Sequence, residues 1–183
     1  MSVVLRNPDR RDSEELRRLF TRSISYAFET DGIPDRTGIE DEVRDQLSVL
    51  DTYLDVSHQD VHMLVAQSEP GIIGTAAYRR PNPIIHEHVH ADLSGSFEIS
   101  TVYVLPDHHG RGIGSLLFSE LLICLQHRNA RGFCLDCGYR AAQQVWTKKI
   151  GVPDVVLRDY WGVGRDHLIW HRDLRRFEIT FSL

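Results

Sequence analysis

Gly110, Gly112 and Gly114 follow an apolar, β-branched run and precede a leucine-rich one, an order suited to holding an anion. Upstream, Ile99, Thr101, Val102, Tyr103 and Val104 are strand formers, and Pro106 ends the run. Downstream, Ile113, Leu116, Leu117, Leu121, Cys124 and Leu125 recur at the spacing of a core-facing helical stripe. A strand, a turn stripped of side chains and a helix start leave backbone N–H groups open at the positive end of a helix dipole, where phosphate oxygens are held. The implied guest is a diphosphate-bearing cofactor.

Spacing rejects two common diphosphate loops. A dinucleotide fingerprint needs a third glycine where Ser115 stands, and a nucleotide-triphosphate loop needs a terminal Gly-Lys-Ser/Thr that is absent. The run His109-Gly110-Arg111-Gly112-Ile113-Gly114 instead resembles the acetyl-CoA signature Gln/Arg-x-x-Gly-x-Gly/Ala of the GNAT superfamily of N-acetyltransferases, with His109 at the Gln/Arg position. That resemblance implies acetyl-CoA as cosubstrate, held by His109, Gly110, Arg111, Gly112, Ile113, Gly114 and Ser115. It also implies an α/β fold: a mixed, mostly antiparallel sheet of about six to seven strands, flanked by about four helices and splayed at the acetyl-CoA site.

The second half matches with departures. The family usually carries Asn-x-x-Ala-x-x-x-Tyr-x-x-x-Gly-Phe after its fifth strand; anchored on Gly151, these positions hold Arg140, Gln143, Thr147 and Val152. The usual tyrosine acid is therefore replaced by Thr147. Trp146 beside it is assigned to the cofactor groove, with core packing as the alternative. Ser100 to Val104 and Asp166 to Leu174 are similar to the branch that acetylates small amino-acid-like amines such as phosphinothricin.

Attack on a thioester needs a neutral amine, hence a base, and a group that polarises the carbonyl. Glu98 is the candidate base. It precedes His109 by eleven positions, the separation found in histone-acetyltransferase members of the superfamily, and a carboxylate inside Phe-Glu-Ile-Ser-Thr-Val-Tyr-Val is costly to bury unless used. An exposed Glu at the mouth of the strand is the alternative. Polarisation falls to backbone N–H groups near Val102, Tyr103 and Val104, freed where the strand leaves its neighbour. Tyr160 is the candidate general acid, and coenzyme A thiolate is a fair enough leaving group to do without one.

Two further constellations invite chemistry. His86, His88 and His90 would share one side of an extended chain and could grip a metal, but after Pro81-Asn82-Pro83 a solvated, acceptor-facing loop is expected and no metal site is assigned. Cys134 and Cys137 have Cys-x-x-Cys spacing, read here as two semi-buried thiols on a strand. Substrate charges would be met by Asp31 and Asp35 for an ammonium and by Arg79 and Arg80 for a carboxylate.

The elements that must position these residues follow from pattern. With 183 residues, 42% hydrophobic and 26% charged, the chain fits one domain over residues 1–183. A net charge of −5 argues against nucleic acid as partner, no apolar run is long enough for a membrane, the start is not patterned as a signal peptide, and three cysteines suit a reducing, cytoplasmic setting. A strand over Ser2 to Arg6 leads to a helix begun at Asp12-Ser13-Glu14-Glu15 with Leu16, Leu19, Phe20, Ile24 and Ala27 inward. A helix over Glu40 to Leu50, a hairpin of His62 to Gln67 with Ile72 to Tyr78, a strand over Gly132 to Cys137, a helix over Ala141 to Ile150 and strands at Val155 to Leu157 and His167 to His171 complete the reading. The expected activity is acetyl transfer to a small primary amine in a ternary complex. Protein or peptide N-acetylation and a catalytically weak coenzyme-A-binding regulatory module are the alternatives, and a homodimer is compatible.

Overall fold

The computed structural model describes residues 2–55, 60–69 and 71–179. Seven strands form one sheet in the order β1 (Val4–Arg6), β2 (His62–Ser68), β3 (Gly71–Arg79), β4 (Ser96–Val104), β5 (Gly132–Cys137), β7 (His167–Asp173) and β6 (Val155–Leu157). Among the described residues only the central β4–β5 pair is parallel; the other five pairings are antiparallel.

Strands β2 and β3 read as almost unbroken apolar runs because helices cover both of their faces. On one side, Met63, Val65, Ile72 and Ala77 pack under α1 (Ser13–Thr30) and α2 (Arg36–Leu54). On the other, Leu64, Ala66, Ile73 and Ala76 pack with α4 (Ile113–His127) and α5 (Arg140–Ile150). The inward stripe of α1 is Leu16, Leu19, Phe20, Ile24 and Phe28; Phe28, rather than Ala27, fills the last turn. Its capping box forms slightly early, in a 3₁₀ turn at Arg10–Asp12, where Asp9 and Asp12 exchange side-chain-to-backbone bonds. Asp12 also takes two hydrogen bonds from Arg6, at 2.7 and 2.8 Å, tying β1 to the helix start.

The expected mixed sheet and splay are present, with five α-helices among the described residues where about four were expected. The extra one, α3 (Pro83–His88), replaces the expected His-rich loop. Asn82 Oδ1 caps it by accepting the Ile85 N–H at 3.0 Å, Pro83 supplies a preset φ in the first turn, and Ile85 is fully buried against Cys134 and Ile169. Helical geometry turns His86 and His88 away from the shared side an extended chain would give them. Among the described residues no group of three or more His, Cys, Asp or Glu is arranged to hold a metal, and no helix is long and apolar enough to cross a membrane.

Candidate active site

Strand β4 pairs with β5 only over Ser96–Gly132, Phe97–Phe133 and Glu98–Cys134. Beyond Glu98 the strands diverge: β4 runs on to Val104 beside β3 alone, while β5 runs on to Cys137 beside β7. The β5-facing backbone groups of β4 are thus left without a strand partner at the height of Val102, Tyr103 and Val104. A β-bulge accompanies the divergence. Ala77 opposes Ser100 and Thr75 opposes Tyr103, so β4 carries one extra residue, and Thr101 there adopts φ +56°. Val102 and Val104 pack on the α4 side, whereas Tyr103 packs on the α1–α2 side.

At the end of β4 the chain turns through a 3₁₀ turn at Pro106–His108 and enters α4. Gly110 and Gly112 have φ +72° and +78°, conformations that L side chains avoid, and a Cβ on either would meet no atom within 4 Å. Gly112 is the N-cap, so the first-turn N–H groups of Ile113, Gly114 and Ser115 face this open space. Ile113, 3% exposed, anchors the turn in the core, and Arg111 stands exposed at its crest. A bare cradle on a helix N-terminus fits a diphosphate. His109 does not point into it. Its Nε2 bonds the Val104 carbonyl at 2.9 Å and its ring packs edge-on to Tyr26, which fastens the turn to the strand.

Glu98 sits where the strands part. It is 1% exposed, so the exposed alternative is overturned. Arg79 donates to Oε1 from Nε at 3.2 Å and Nη2 at 3.0 Å, and the Asn82 backbone N–H donates to Oε2 at 2.8 Å. Burial pushes its carboxyl up to about 7; Arg79 opposes the rise and Asp136 adds to it. Asp136 Oδ2 in turn accepts from Asn82 Nδ2 at 2.8 Å and contacts His167 Nε2 at 3.1 Å.

The open end of the V is bridged from above. Glu42 on α2 accepts the hydroxyl of Tyr103, on the β4 arm, at Oε1 and that of Tyr139, just past the β5 arm, at Oε2. Burial raises the Glu42 carboxyl, and both tyrosines are raised by burial and by the carboxylate beside them. Sequence reading missed this crossbar, because its members lie 61 and 97 positions apart. Glu42→Ala would strand two phenol hydroxyls, and urea unfolding should show a loss of about 2–4 kcal/mol. Tyr103→Phe should remove much of that penalty when combined with Glu42→Ala, whereas additive losses would mean no bridge.

Other expected residues have internal partners. Asp31 accepts the Arg140 N–H at 2.9 Å at the start of α5, and Asp35 caps α2 by accepting the Gly38 N–H at 3.0 Å. Arg79 is held by Glu98, and Arg80 pairs with Asp60 at 3.0 Å. None of the four is therefore a ready substrate clamp. Trp146 is 8% exposed with its ring against Phe118, 5.2 Å between centroids, so it packs the core beneath α4, as in the alternative reading. Thr147 is exposed. Tyr160, 40% exposed, lies in the loop before β7 between His88 and His167. Cys134 and Cys137 are buried, which pushes both thiols up to about 12 and suits packing rather than redox chemistry. A cavity of about 440 Å³ lined by Arg80, His86, Val89, Asp92 and Ser96 opens at the start of β4, the end away from the glycine turn.

A profile of the acetyltransferase (GNAT) domain matches residues 59–151, just over half of the chain. No curated protein sequence matches. Among solved structures, PaiA N-acetyltransferase from Thermoplasma acidophilum, determined with coenzyme A, is 18% identical with a TM-score of 0.70 over 94% of this chain and 99% of its own. YncA from Salmonella typhimurium, determined with acetyl-CoA, is 16% identical with a TM-score of 0.68 over the full length of both chains. Ribosomal-protein-alanine N-acetyltransferase from Brucella melitensis is 20% identical with a TM-score of 0.65 over 93% of this chain and 99% of its own. These structures share the fold, and the profile spans the turn, the splayed strands and Glu98: the chain belongs to the GNAT family of acetyltransferases.

Proposed function

We propose that the chain transfers the acetyl group of acetyl-CoA to the primary amine of a small molecule, both substrates being bound together. The observation that carries this reading is the parting of β4 from β5 at Glu98, with an open, side-chain-free turn at the end of the freed strand. The N–H groups of Ile113, Gly114 and Ser115 would hold the diphosphate, and the free edge of β4 at Val102 to Val104 would receive the pantetheine arm and polarise the thioester oxygen. Acetyl-CoA supplies an activated acyl group. Glu98 takes the proton of the incoming ammonium through a water, since burial leaves it no direct exposure. Tyr160, at the acceptor side, returns a proton to the departing thiolate.

A compact acceptor is favoured by the loop before β7, whose Tyr160 meets His88 of α3, 6.3 Å between ring centroids, and so roofs the β5 side. Arg79 and Arg80 are already paired with Glu98 and Asp60, so neither favours an acceptor that carries a carboxylate. Thiol release across a panel of simple amines, amino acids and an alanine-ended peptide tests this. Simple amines should be turned over with a kcat/KM at least equal to that of the matching amino acids, whereas turnover of the peptide alone would sink the small-molecule reading.

A further inference from the structure

A chain of hydrogen bonds runs from the loop before β7 to Glu98, and its donor order can be read without ambiguity. Trp161 Nε1 lies 3.0 Å from His167 Nδ1. An indole N–H only donates, so Nδ1 accepts, the ring proton sits on Nε2, and the 3.1 Å contact there is donated to Asp136 Oδ2. Asn82 is fixed too: its Oδ1 caps Ile85, so its Nδ2 donates to the same carboxylate oxygen at 2.8 Å, while its backbone N–H holds Glu98.

The fold makes room for the first link. A Cβ on Gly138 would stand 2.9 Å from the indole nitrogen and 3.5 Å from His167 Nδ1, so the turn after β5 is hollowed where the indole enters. The loop itself is braced, with Arg158 on Asp166 at 2.6 Å, the Asp159 N–H on Asp166 at 3.0 Å and the Trp161 N–H on the Arg165 carbonyl at 3.1 Å.

We infer that Trp161 is a positioning residue for catalysis: its indole N–H fixes His167 as the Nε2–H tautomer, His167 and Asn82 then hold Asp136 as an anion, and that anion keeps Glu98 ready to accept the substrate's proton. The inference rests on Glu98 as base. The charged and titratable groups facing Glu98 are Arg79 from β3 and Cys134 and Asp136 from β5; those facing His167 are Asp136 and Tyr160. Of these, Asp136 adds to the upward push of burial on Glu98 and Arg79 counters it.

Removing the indole donor frees Nδ1, so the Nε2–H tautomer is no longer enforced and Asp136 loses one of the two donors that hold its charge. The acid limb of kcat/KM should then move to lower pH in Trp161→Phe, and also in Gly138→Ala, whose methyl group crowds the indole off His167 while every hydrogen-bonding side chain is kept. A drop of one unit would raise the rate at pH 6, relative to each variant's own plateau, by about fivefold. Asp136→Asn should move the limb the same way. Histidine ¹⁵N NMR provides a readout independent of turnover: wild type should show His167 as a single Nε2–H tautomer and Trp161→Phe should not. An Nδ1–H tautomer in wild type, or an unmoved limb in Trp161→Phe, overturns the inference, because a merely structural role lowers activity at every pH with the limb in place. If Glu98→Gln keeps wild-type turnover, the base assignment falls and the relay with it; if Glu98→Gln is inactive while the limb stays put, only the relay falls.

Discussion

Gly112→Val is expected to weaken acetyl-CoA binding by about 10²- to 10⁴-fold while leaving the protein folded. The residue has φ +78°, which costs a branched side chain about 1–2 kcal/mol, but a Cβ there meets no atom within 4 Å, so the fold itself is not obstructed. On the proposed binding mode the ligand is obstructed: the new side chain would stand where phosphate oxygens reach the N–H groups of Ile113 and Gly114, and losing two charge-assisted bonds amounts to about 3–6 kcal/mol. Gly112→Ala carries the strain with little of the bulk and should lose far less affinity. Calorimetry decides the matter: a folded Gly112→Val protein with affinity near that of wild type would remove the turn from the cofactor site.

With Glu98 as the proposed base, Glu98→Gln is expected to lower kcat by about 10²- to 10⁴-fold without changing acetyl-CoA affinity. Only the ionised carboxylate can act, and its carboxyl is pushed up to about 7, so wild-type kcat/KM should fall tenfold per unit below that pH. The variant's residual rate should lack this limb. A second consequence concerns stability. The folded protein holds the Glu98 proton more tightly than the unfolded chain does, so this group favours folding below pH 4.5 and loses that contribution as pH rises to about 7. Urea midpoints measured across that window should flatten in Glu98→Gln. Retained wild-type turnover across pH 6 to 9 would show that another base, or none, is at work.

The glycine turn was legible because everything it needs is local: a strand, three glycines and a helix stripe within one stretch of sequence. The β2–β3 hairpin and β5 were equally plain, since fully buried strands leave unbroken apolar runs. Helix α3 was not, because six residues are too few for helical periodicity, although Asn82-Pro83 is a cap followed by a first-turn proline and was a usable signal. Asp31 and Asp35 were misread as substrate ligands for a similar reason: a carboxylate that caps a helix looks no different in sequence from one that awaits a cation. Glu42, Asp136 and His167 left no trace of their roles. Each acts through partners brought together only when strands and helices from distant parts of the chain meet, and no spacing rule encodes that.

The single extra residue in β4 shifts the strand's parity. Ahead of Thr101, odd-numbered Phe97 and Ile99 pack on the α4 side and even-numbered Glu98 lies on the opposite face; beyond it, Val102 and Val104 turn to α4 and odd-numbered Tyr103 to α1 and α2. Residue count is therefore more tightly specified here than residue identity. A glycine at Thr101 would suit its φ of +56°, yet deleting that position would exchange the two surfaces over the last third of the strand, swinging Tyr103 off Glu42 and presenting valines to the acceptor.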